Sequence, residues 1–137
     1  MAVTYDRGAW SAAHPWTLAH RPESAGQART IAQTLLRGWG VAGEVADSVL
    51  LTVSELVGNA VQHAQPPLCL GLGCDLSTGH VYVEVSDGGP AAEDRAAGLA
   101  EDEHGRGLMI IDQVAAAHGD RQEAGRAVHW ADIEYAA

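Results

Sequence analysis

Two apolar segments joined by a short turn constrain the fold of this chain most strongly. The first, LCLGLGCDL, covers residues 68–76, and the second, HVYVEVSD, covers residues 80–87, with STG between them. Both alternate apolar residues with small or polar ones, and a turn this short joins neighbouring strands into an antiparallel hairpin. We therefore expect a sheet with an apolar face that another layer of the molecule must cover.

Two amphipathic helices are predicted ahead of the hairpin and can supply that layer. The first is expected to run from about Ser24, which would cap it, to Trp39, where the neighbouring glycines end it. The second is expected to run from about Glu44 to His63 or Ala64, because the sequence QPP stops it there.

The remaining segments add further strands and a third helix. Residues 14–20 are predicted to form a short edge strand, residues 89–104 a long loop, and residues 107–118 a helix. Residues 120–135 are predicted to form two strands that turn at EAGR. This order predicts an α+β fold, a two-layer sandwich in which a mixed, mostly antiparallel sheet is covered on one face by about three helices.

Length and composition indicate one domain. The chain has 137 residues, of which 47% are hydrophobic types, enough for a single core. We expect one domain over residues 14–137, preceded by a flexible arm over residues 1–13. Cys69 and Cys74 lie an odd number of positions apart on one predicted strand, so they should point to opposite faces and form no disulfide, as suits a reducing cytoplasm.

Charge and hydropathy exclude two classes of partner. Eighteen acidic residues against eight basic ones give a formal charge of −10, which opposes binding to the phosphates of nucleic acids. No apolar run approaches the roughly 20 residues that span a bilayer, and the first residues lack the apolar centre of a signal peptide. The expected protein is cytoplasmic, with neither a nucleic acid nor a membrane as partner.

The second predicted helix carries a carboxylate and an amide near the core. In SELVGNAVQHA, Glu55 and Asn59 are four residues apart, so they project side by side, about 40° apart around the helix axis. An isolated pair of this kind is usually an ordinary surface pair. Here apolar residues cover much of the remaining circumference, so a carboxylate at the edge of the core needs a partner or a function.

Two glycine-containing stretches also contain residues that suit a binding site. Asp87 ends a predicted strand and precedes two glycines, a common turn sequence that could equally fix a carboxylate to accept a hydrogen bond from an exocyclic amine, such as that of adenine. In HGRGLMIID, Gly105 and Gly107 flank Arg106 before the predicted third helix, where free backbone N–H groups can bind an anion. Neither the P-loop pattern nor the Rossmann pattern is matched.

Taken in order, these motifs resemble a known ATP-binding fold. ELVGNAVQHA, VEVSDGGP, an acidic segment and HGRGLMIID are similar to the Bergerat-type fold of gyrase-type ATPases, histidine kinases and MutL. The resemblance is greatest to the small stand-alone anti-sigma-factor serine kinases of the RsbW and SpoIIAB kind, a branch abundant in actinobacteria. It extends from about Trp16 to Glu134 and includes the early helix and the GRAVHWADIE end.

The resemblance assigns roles to individual residues. Glu55 would be the general base, and Asn59 the ligand that holds Mg²⁺ against the phosphates of ATP. A base and a metal-holding amide one helical turn apart suit phosphoryl transfer. Asp87 would accept the adenine amine, with Gly89 giving the base room. The other expected nucleotide contacts are His63, one turn beyond Asn59, and the phosphate-binding turn of Gly105, Arg106, Gly107 and Leu108. A metal-ligand role for His63 is a further alternative, but no Cys or His has the spacing of a zinc site.

Some residues depart from the family pattern. Residues 91–103 would form a lid over the nucleotide, yet they carry five carboxylates and Arg95 as their one cation, which predicts weak nucleotide affinity. Arg126 and His129 stand where the family often has Lys and Trp. We expect neither of these two to contact the motifs.

For function, the resemblance implies a Mg²⁺-ATP-dependent serine kinase with two protein partners. It would phosphorylate a small anti-anti-sigma antagonist of the STAS type and sequester a sigma factor, and it could form a homodimer. One alternative is a catalytically weak module that sequesters a regulator and uses nucleotide as a structural ligand. Another is the ATPase part of a larger machine. The partner surface is expected on the polar side of the first helix, at Arg29, Gln33 and Arg37.

Overall fold

Six strands form one sheet, and two long helices cover one of its faces, in the computed structural model, which describes residues 11–12, 15–91 and 110–135. The elements in chain order are β1 (Ser11–Ala12), β2 (Trp16–Leu18), α1 (Ser24–Trp39), α2 (Gly43–His63), β3 (Leu68–Asp75), β4 (His80–Asp87), β5 (Ala117–Glu123) and β6 (Arg126–Glu134). Residues 110–114, just ahead of β5, are also helical.

The sheet has the order β1-β3-β4-β6-β5, and β2 also pairs with β3. Each pairing between described strands is antiparallel, including the predicted β3–β4 hairpin, in which Leu70 lies opposite Val85. The α+β class and the two-layer arrangement are therefore confirmed. The predicted mixture of parallel and antiparallel pairs is replaced, within the described strands, by an antiparallel sheet.

The core lies between this sheet and the helices, because alternate residues of the central strands point to the helical side. Leu70 of β3, Val83 of β4 and Ile133 of β6 are fully buried there, together with Val53 and Val57 of α2. Burying one side chain of this size contributes about 1.5–3 kcal/mol. In this layer α2 packs against β4 and β6, whereas α1 packs against α2 and β3.

The predicted bounds of α1 are confirmed, but its predicted cap is wrong. The helix ends where Gly40 adopts a φ of 73°, a left-handed conformation that glycine reaches at little cost. At the other end Glu23 occupies the cap position and makes no side-chain cap bond. The buried Ser24 hydroxyl instead donates to the carbonyl of Ala19, so it ties the helix to the preceding chain.

The end of α2 is satisfied by a side chain from outside the helix. His20 Nε2 lies 2.7 Å from the carbonyl oxygen of Ala64 and 3.3 Å from that of Ala60. The last carbonyls of a helix have no partner within it, and an imidazole N–H can satisfy them. His20, in the segment before α1, therefore holds the end of α2 in place. This is the point at which the sequence QPP was expected to stop the helix.

The predicted third helix is wrong at its end. Within the described residues, 110–114 are helical, but β5 begins at Ala117, and His118 pairs with Ala131 of β6. The alanine run favours a helix locally, and strand pairing with β6 overrides that preference. The turn at EAGR is confirmed, with Ala124 and Gly125 both at positive φ.

Predictions for the N-terminal segment and the cysteines have different outcomes. The predicted strand over residues 14–20 is confirmed for Trp16–Leu18. The arm predicted over residues 1–13 contains β1, which pairs with β3, while residues 1–10 and 13 lie outside the described part of the chain.

Cys69 and Cys74 are free thiols, and Cys74 lies in the core while Cys69 is on the opposite face. Neither α1 nor α2, the long helices of the described residues, is long and apolar enough to cross a membrane.

Candidate functional site

One edge of α2 carries three polar side chains at the core boundary. Glu55, Asn59 and His63 follow one another at four-residue intervals, and all three are half-buried. Ser54, on the other edge, accepts a hydrogen bond of 3.3 Å from Arg29 Nη1 of α1. Since α1 lies on the β3 side of α2, the edge with Glu55 lies on the β6 side.

Asp87 is the last residue of β4, where the sequence places it, and its exposed fraction is 2%. Its Oδ1 accepts a hydrogen bond of 2.8 Å from the backbone N–H of Gly89, and its Oδ2 lies 2.9 Å from Nε2 of His129. A carboxylate oxygen has two lone pairs. Each oxygen of Asp87 therefore keeps the capacity to accept one further hydrogen bond from a ligand.

His129 bridges two carboxylates. Its Nδ1 lies 2.5 Å from Oδ1 of Asp120, and its Nε2 contacts Asp87. A neutral imidazole has one N–H, so hydrogen bonds to both carboxylates require the protonated ring. Burial lowers the pKa of His129. The hydrogen bonds and charges of Asp120 and Asp87 raise this pKa by more than burial lowers it, so that it lies at about 9. At neutral pH a cation therefore lies beside Asp87.

The expectation that His129 contacts none of the motifs is thus wrong. In the β4–β6 pairing His129 lies opposite Val85, and its diagonal neighbour on the same face is Asp87. The sequence indicates the face of the sheet on which His129 lies, since this residue alternates with Ala131 and Ile133 of the core, but it does not indicate the contact with Asp87. Arg126 Nη1 donates to the hydroxyl of Ser86, at 3.3 Å, on the other face of the sheet. Since Ser86 belongs to the VEVSDGGP motif, the expectation is wrong for Arg126 as well.

The two glycines after Asp87 have different structural roles. A Cβ on Gly88 would lie 2.3 Å from the carbonyl oxygen of Pro66, so this glycine is required by packing within the chain. Gly89 has a φ of 96°, and a Cβ there would meet no atom within 4 Å. The space expected for a ligand is therefore beside Gly89, whereas Gly88 is explained without a ligand.

Backbone hydrogen bonds join the turn after Asp87 to the end of α2. Gly88 N–H donates to the carbonyl of Gln65 at 2.7 Å, and Gln65 N–H donates to that of Gly89 at 2.8 Å. Ala91 N–H donates to the carbonyl of His63 at 2.8 Å. The structure thus brings two sequence motifs together, the helix with Asn59 and His63 and the turn with Asp87 and Gly89.

The remaining predicted site residues lie outside the described part of the chain. These are Gly105, Arg106, Gly107 and Leu108, together with residues 92–103 of the predicted lid. Their roles stay predictions.

The described residues offer little protein coordination for a metal. They contain no cluster of three or more His, Cys, Asp or Glu side chains that could enclose an ion. Mg²⁺ bound with a nucleotide does not need such a cluster, since it commonly takes one or two protein oxygens, phosphate oxygens and waters. The amide oxygen of Asn59 fits this kind of site, in which the nucleotide supplies further ligands.

Comparisons with known proteins agree with this architecture. A chain in the crystal structure of the SiaB–SiaC complex from Pseudomonas aeruginosa is similar, with a TM-score of 0.61 over 93% of this chain and 92% of that chain. At 13% sequence identity the likeness concerns the fold. No curated protein matches the sequence. The histidine kinase-like ATPase domain matches residues 18–129, a span that includes Glu55, Asn59, Asp87 and His129. The chain therefore belongs to the family of histidine kinase-like ATPase domains.

Proposed function

We propose that this chain is a Mg²⁺-ATP-dependent protein serine kinase that regulates a partner protein. The observation that carries the proposal is the joining of the α2 end to the turn after Asp87 by three backbone hydrogen bonds. These bonds hold the turn after Asp87 against the end of α2, the helix that carries Glu55 and Asn59, so the three side chains would line one site. Membership of an ATPase family supports ATP as the ligand.

Asp87 would bind the adenine base. Its carboxylate is buried, fixed through both oxygens and able to accept one more hydrogen bond at each. Adenine presents an exocyclic amine, a donor, whereas the corresponding group of guanine is an acceptor. An ionised carboxylate accepts hydrogen bonds and donates none, so it favours adenine. The open space beside Gly89 would admit the edge of the flat base.

Glu55 and Asn59 would perform the chemistry on the adjoining helix edge. Asn59 would hold Mg²⁺, which when bound supplies positive charge against the phosphates. Glu55, one turn earlier, would accept the proton of a serine hydroxyl as that oxygen attacks the terminal phosphorus of ATP. The bond from this phosphorus to the bridging oxygen would break, and ADP would leave. Because both side chains lie on the same edge, the hydroxyl and the phosphate would meet there in a reactive orientation.

The partner would be a protein that binds outside the nucleotide site. Arg29, Gln33 and Arg37 are exposed on α1, on the opposite side of α2 from the Glu55 edge. In this acidic chain they form a surface with two cations that could meet an acidic partner. We propose that the chain phosphorylates a STAS-type antagonist and sequesters a sigma factor.

A second candidate function is sequestration without phosphoryl transfer. Residues 93, 94 and 101–103 are all acidic, and negative charge near a triphosphate weakens nucleotide binding and transfer. In this case the nucleotide would serve as a structural ligand, and the chain would hold its partner by binding alone.

One labelling experiment separates the two functions. The chain is incubated with Mg²⁺ and γ-labelled ATP together with the antagonist proteins encoded in its own genome. A kinase labels one or a few of them on serine, and Glu55→Gln removes the label. Binding of a sigma factor with no labelled antagonist would favour sequestration, and binding of neither would refute the proposed function.

A further inference from the structure

Three side chains from neighbouring strands form a line from solvent into the candidate site. Asp120 of β5 is 62% exposed, His129 of β6 is 29% exposed and Asp87 of β4 is 2% exposed. The imidazole contacts the outer carboxylate at 2.5 Å and the inner one at 2.9 Å. A single ring thus connects a solvated carboxylate with a buried one.

We propose that His129, held by Asp120, is a positioning residue that keeps Asp87 ionised and in one orientation, so that the site accepts the amine of adenine and discriminates against a 6-oxo purine. The inference rests on the adenine-binding function proposed above. It adds a residue and a basis for base selectivity that lie outside the motifs found in the sequence.

The physical reason is the cost of a buried charge. Burying a carboxylate charge is costly unless a cation or hydrogen-bond donors stabilise it, and Asp87 is 2% exposed. A neutral carboxyl group carries an O–H and can donate to the oxo group of hypoxanthine or guanine. With His129 protonated and Gly89 N–H on the other oxygen, Asp87 stays an acceptor and cannot rotate.

Few other charged groups lie near this line among the described residues. No second ion pair to Asp87 occurs there, since Arg121 and Arg126 contact residues of the other sheet face. The same face of β5 carries His118, which contacts Asp112. On β6 the neighbours of His129 on this face are alanines 127 and 131. The helix α2 packs against β4 and β6. The ionisable side chains in its C-terminal half are Glu55 and His63.

The sheet contains a matched control pair. His80 Nδ1 lies 2.8 and 3.0 Å from the two oxygens of Asp132, and the exposed fractions of these side chains are 24% and 7%. This pair resembles His129–Asp87 in chemistry and burial. His80 lies at the other end of β4, seven residues or about 23 Å from Asp87, and Asp132 lies on β6 opposite Tyr82.

The test compares the affinities of ADP and IDP, measured by calorimetry with Mg²⁺, in the full-length wild type, His129→Gln and His80→Gln. We expect His129→Gln to weaken ADP binding about ten- to a hundredfold, the range for losing a hydrogen bond to a charged group. The affinity for IDP should change less, so the ratio of the ADP affinity to the IDP affinity should be smaller in His129→Gln than in the wild type. His80→Gln should behave as the wild type.

Asp120→Asn keeps the proposal testable if His129→Gln folds poorly, since Asp120 is largely exposed. It should weaken ADP binding in the same direction, and it should add nothing in a chain that already carries His129→Gln, because it acts through His129. If the wild type prefers ADP to IDP and both His129→Gln and Asp120→Asn keep the same preference, the role of His129 is overturned while the proposed function stands. No ADP binding by the wild type would overturn this role and the proposed function together.

Discussion

The backbone N–H of Gln65 donates to the carbonyl of Gly89 over 2.8 Å, and this bond joins the second residue after α2 to the turn after Asp87. The helix and the turn are separated by the whole β3–β4 hairpin. Their relative position therefore depends on this bond and its two neighbours, in addition to core packing. Disturbing the junction should affect stability and nucleotide binding together.

Gly88→Ala tests that junction. The new Cβ would lie 2.3 Å from the backbone oxygen of Pro66, which cannot move away as a flexible side chain would. We expect a loss of about 1–3 kcal/mol in the free energy of unfolding, the usual range for overpacking, measured by denaturant titration.

Gly58→Ala is its matched control. A Cβ on Gly58, in the interior of α2, would meet no atom within 4 Å. Alanine favours a helix interior over glycine by about 0.5–1 kcal/mol, so this variant should be slightly more stable than the wild type. Equal stability of the two alanine variants would show that the contact between Gly88 and Pro66 does not constrain the turn.

Stability should fall in alkali because of His129. Its pKa is about 9 in the folded protein against an ordinary value of 6.5, so between these values the folded chain holds a proton that the unfolded chain has lost. This contribution, up to about 3 kcal/mol, is fully present below pH 6.5 and is lost as the pH rises through 9. The wild type should therefore exceed His129→Gln in unfolding free energy at pH 6.5 and lose most of that advantage by pH 10. A difference that stays constant over this range would contradict the ion pair.

Glu55 and Asn59 should have separable effects. Glu55→Gln should leave the dissociation constant of Mg²⁺-ATP nearly unchanged while it slows phosphoryl transfer about 10²–10⁴-fold, because a general base contributes to the chemical step. Asn59→Ala should weaken nucleotide binding in the presence of Mg²⁺ and have little effect without it. Dissociation constants with and without Mg²⁺, together with single-turnover rates, distinguish these outcomes. Exchanged phenotypes would refute the assignment of roles.

Sequence reasoning succeeded where the local pattern decides the structure. The apolar stripe and the glycine after Trp39 predicted α1 correctly, and the alternation around STG predicted the β3–β4 hairpin. It failed where a distant contact decides. Ser24 looked like a cap but donates to Ala19, and the alanines before His118 favoured a helix until pairing with β6 placed the histidine in a strand.

The candidate site divides in the same way. Glu55, Asn59 and Asp87 could be selected from sequence because their motifs are short and have a recognisable order. The contact of His129 with Asp87 could not be selected, because it depends on the register of β4 and β6, strands whose paired residues lie 40 or more positions apart. The role of Gly88 likewise required the position of Pro66.

The central claim, that Asp87 binds the adenine of ATP, is tested most directly by calorimetric titration of Mg²⁺-ATP into the wild type, Asp87→Asn and Asp132→Asn. Asp132 is the matched control, a buried carboxylate paired with a histidine at the far end of the same sheet. We predict that the wild type and Asp132→Asn bind ATP with similar affinity and that Asp87→Asn loses at least about tenfold, since it loses the acceptor charge. Equal binding by all three proteins, or no binding by the wild type, would contradict the claim.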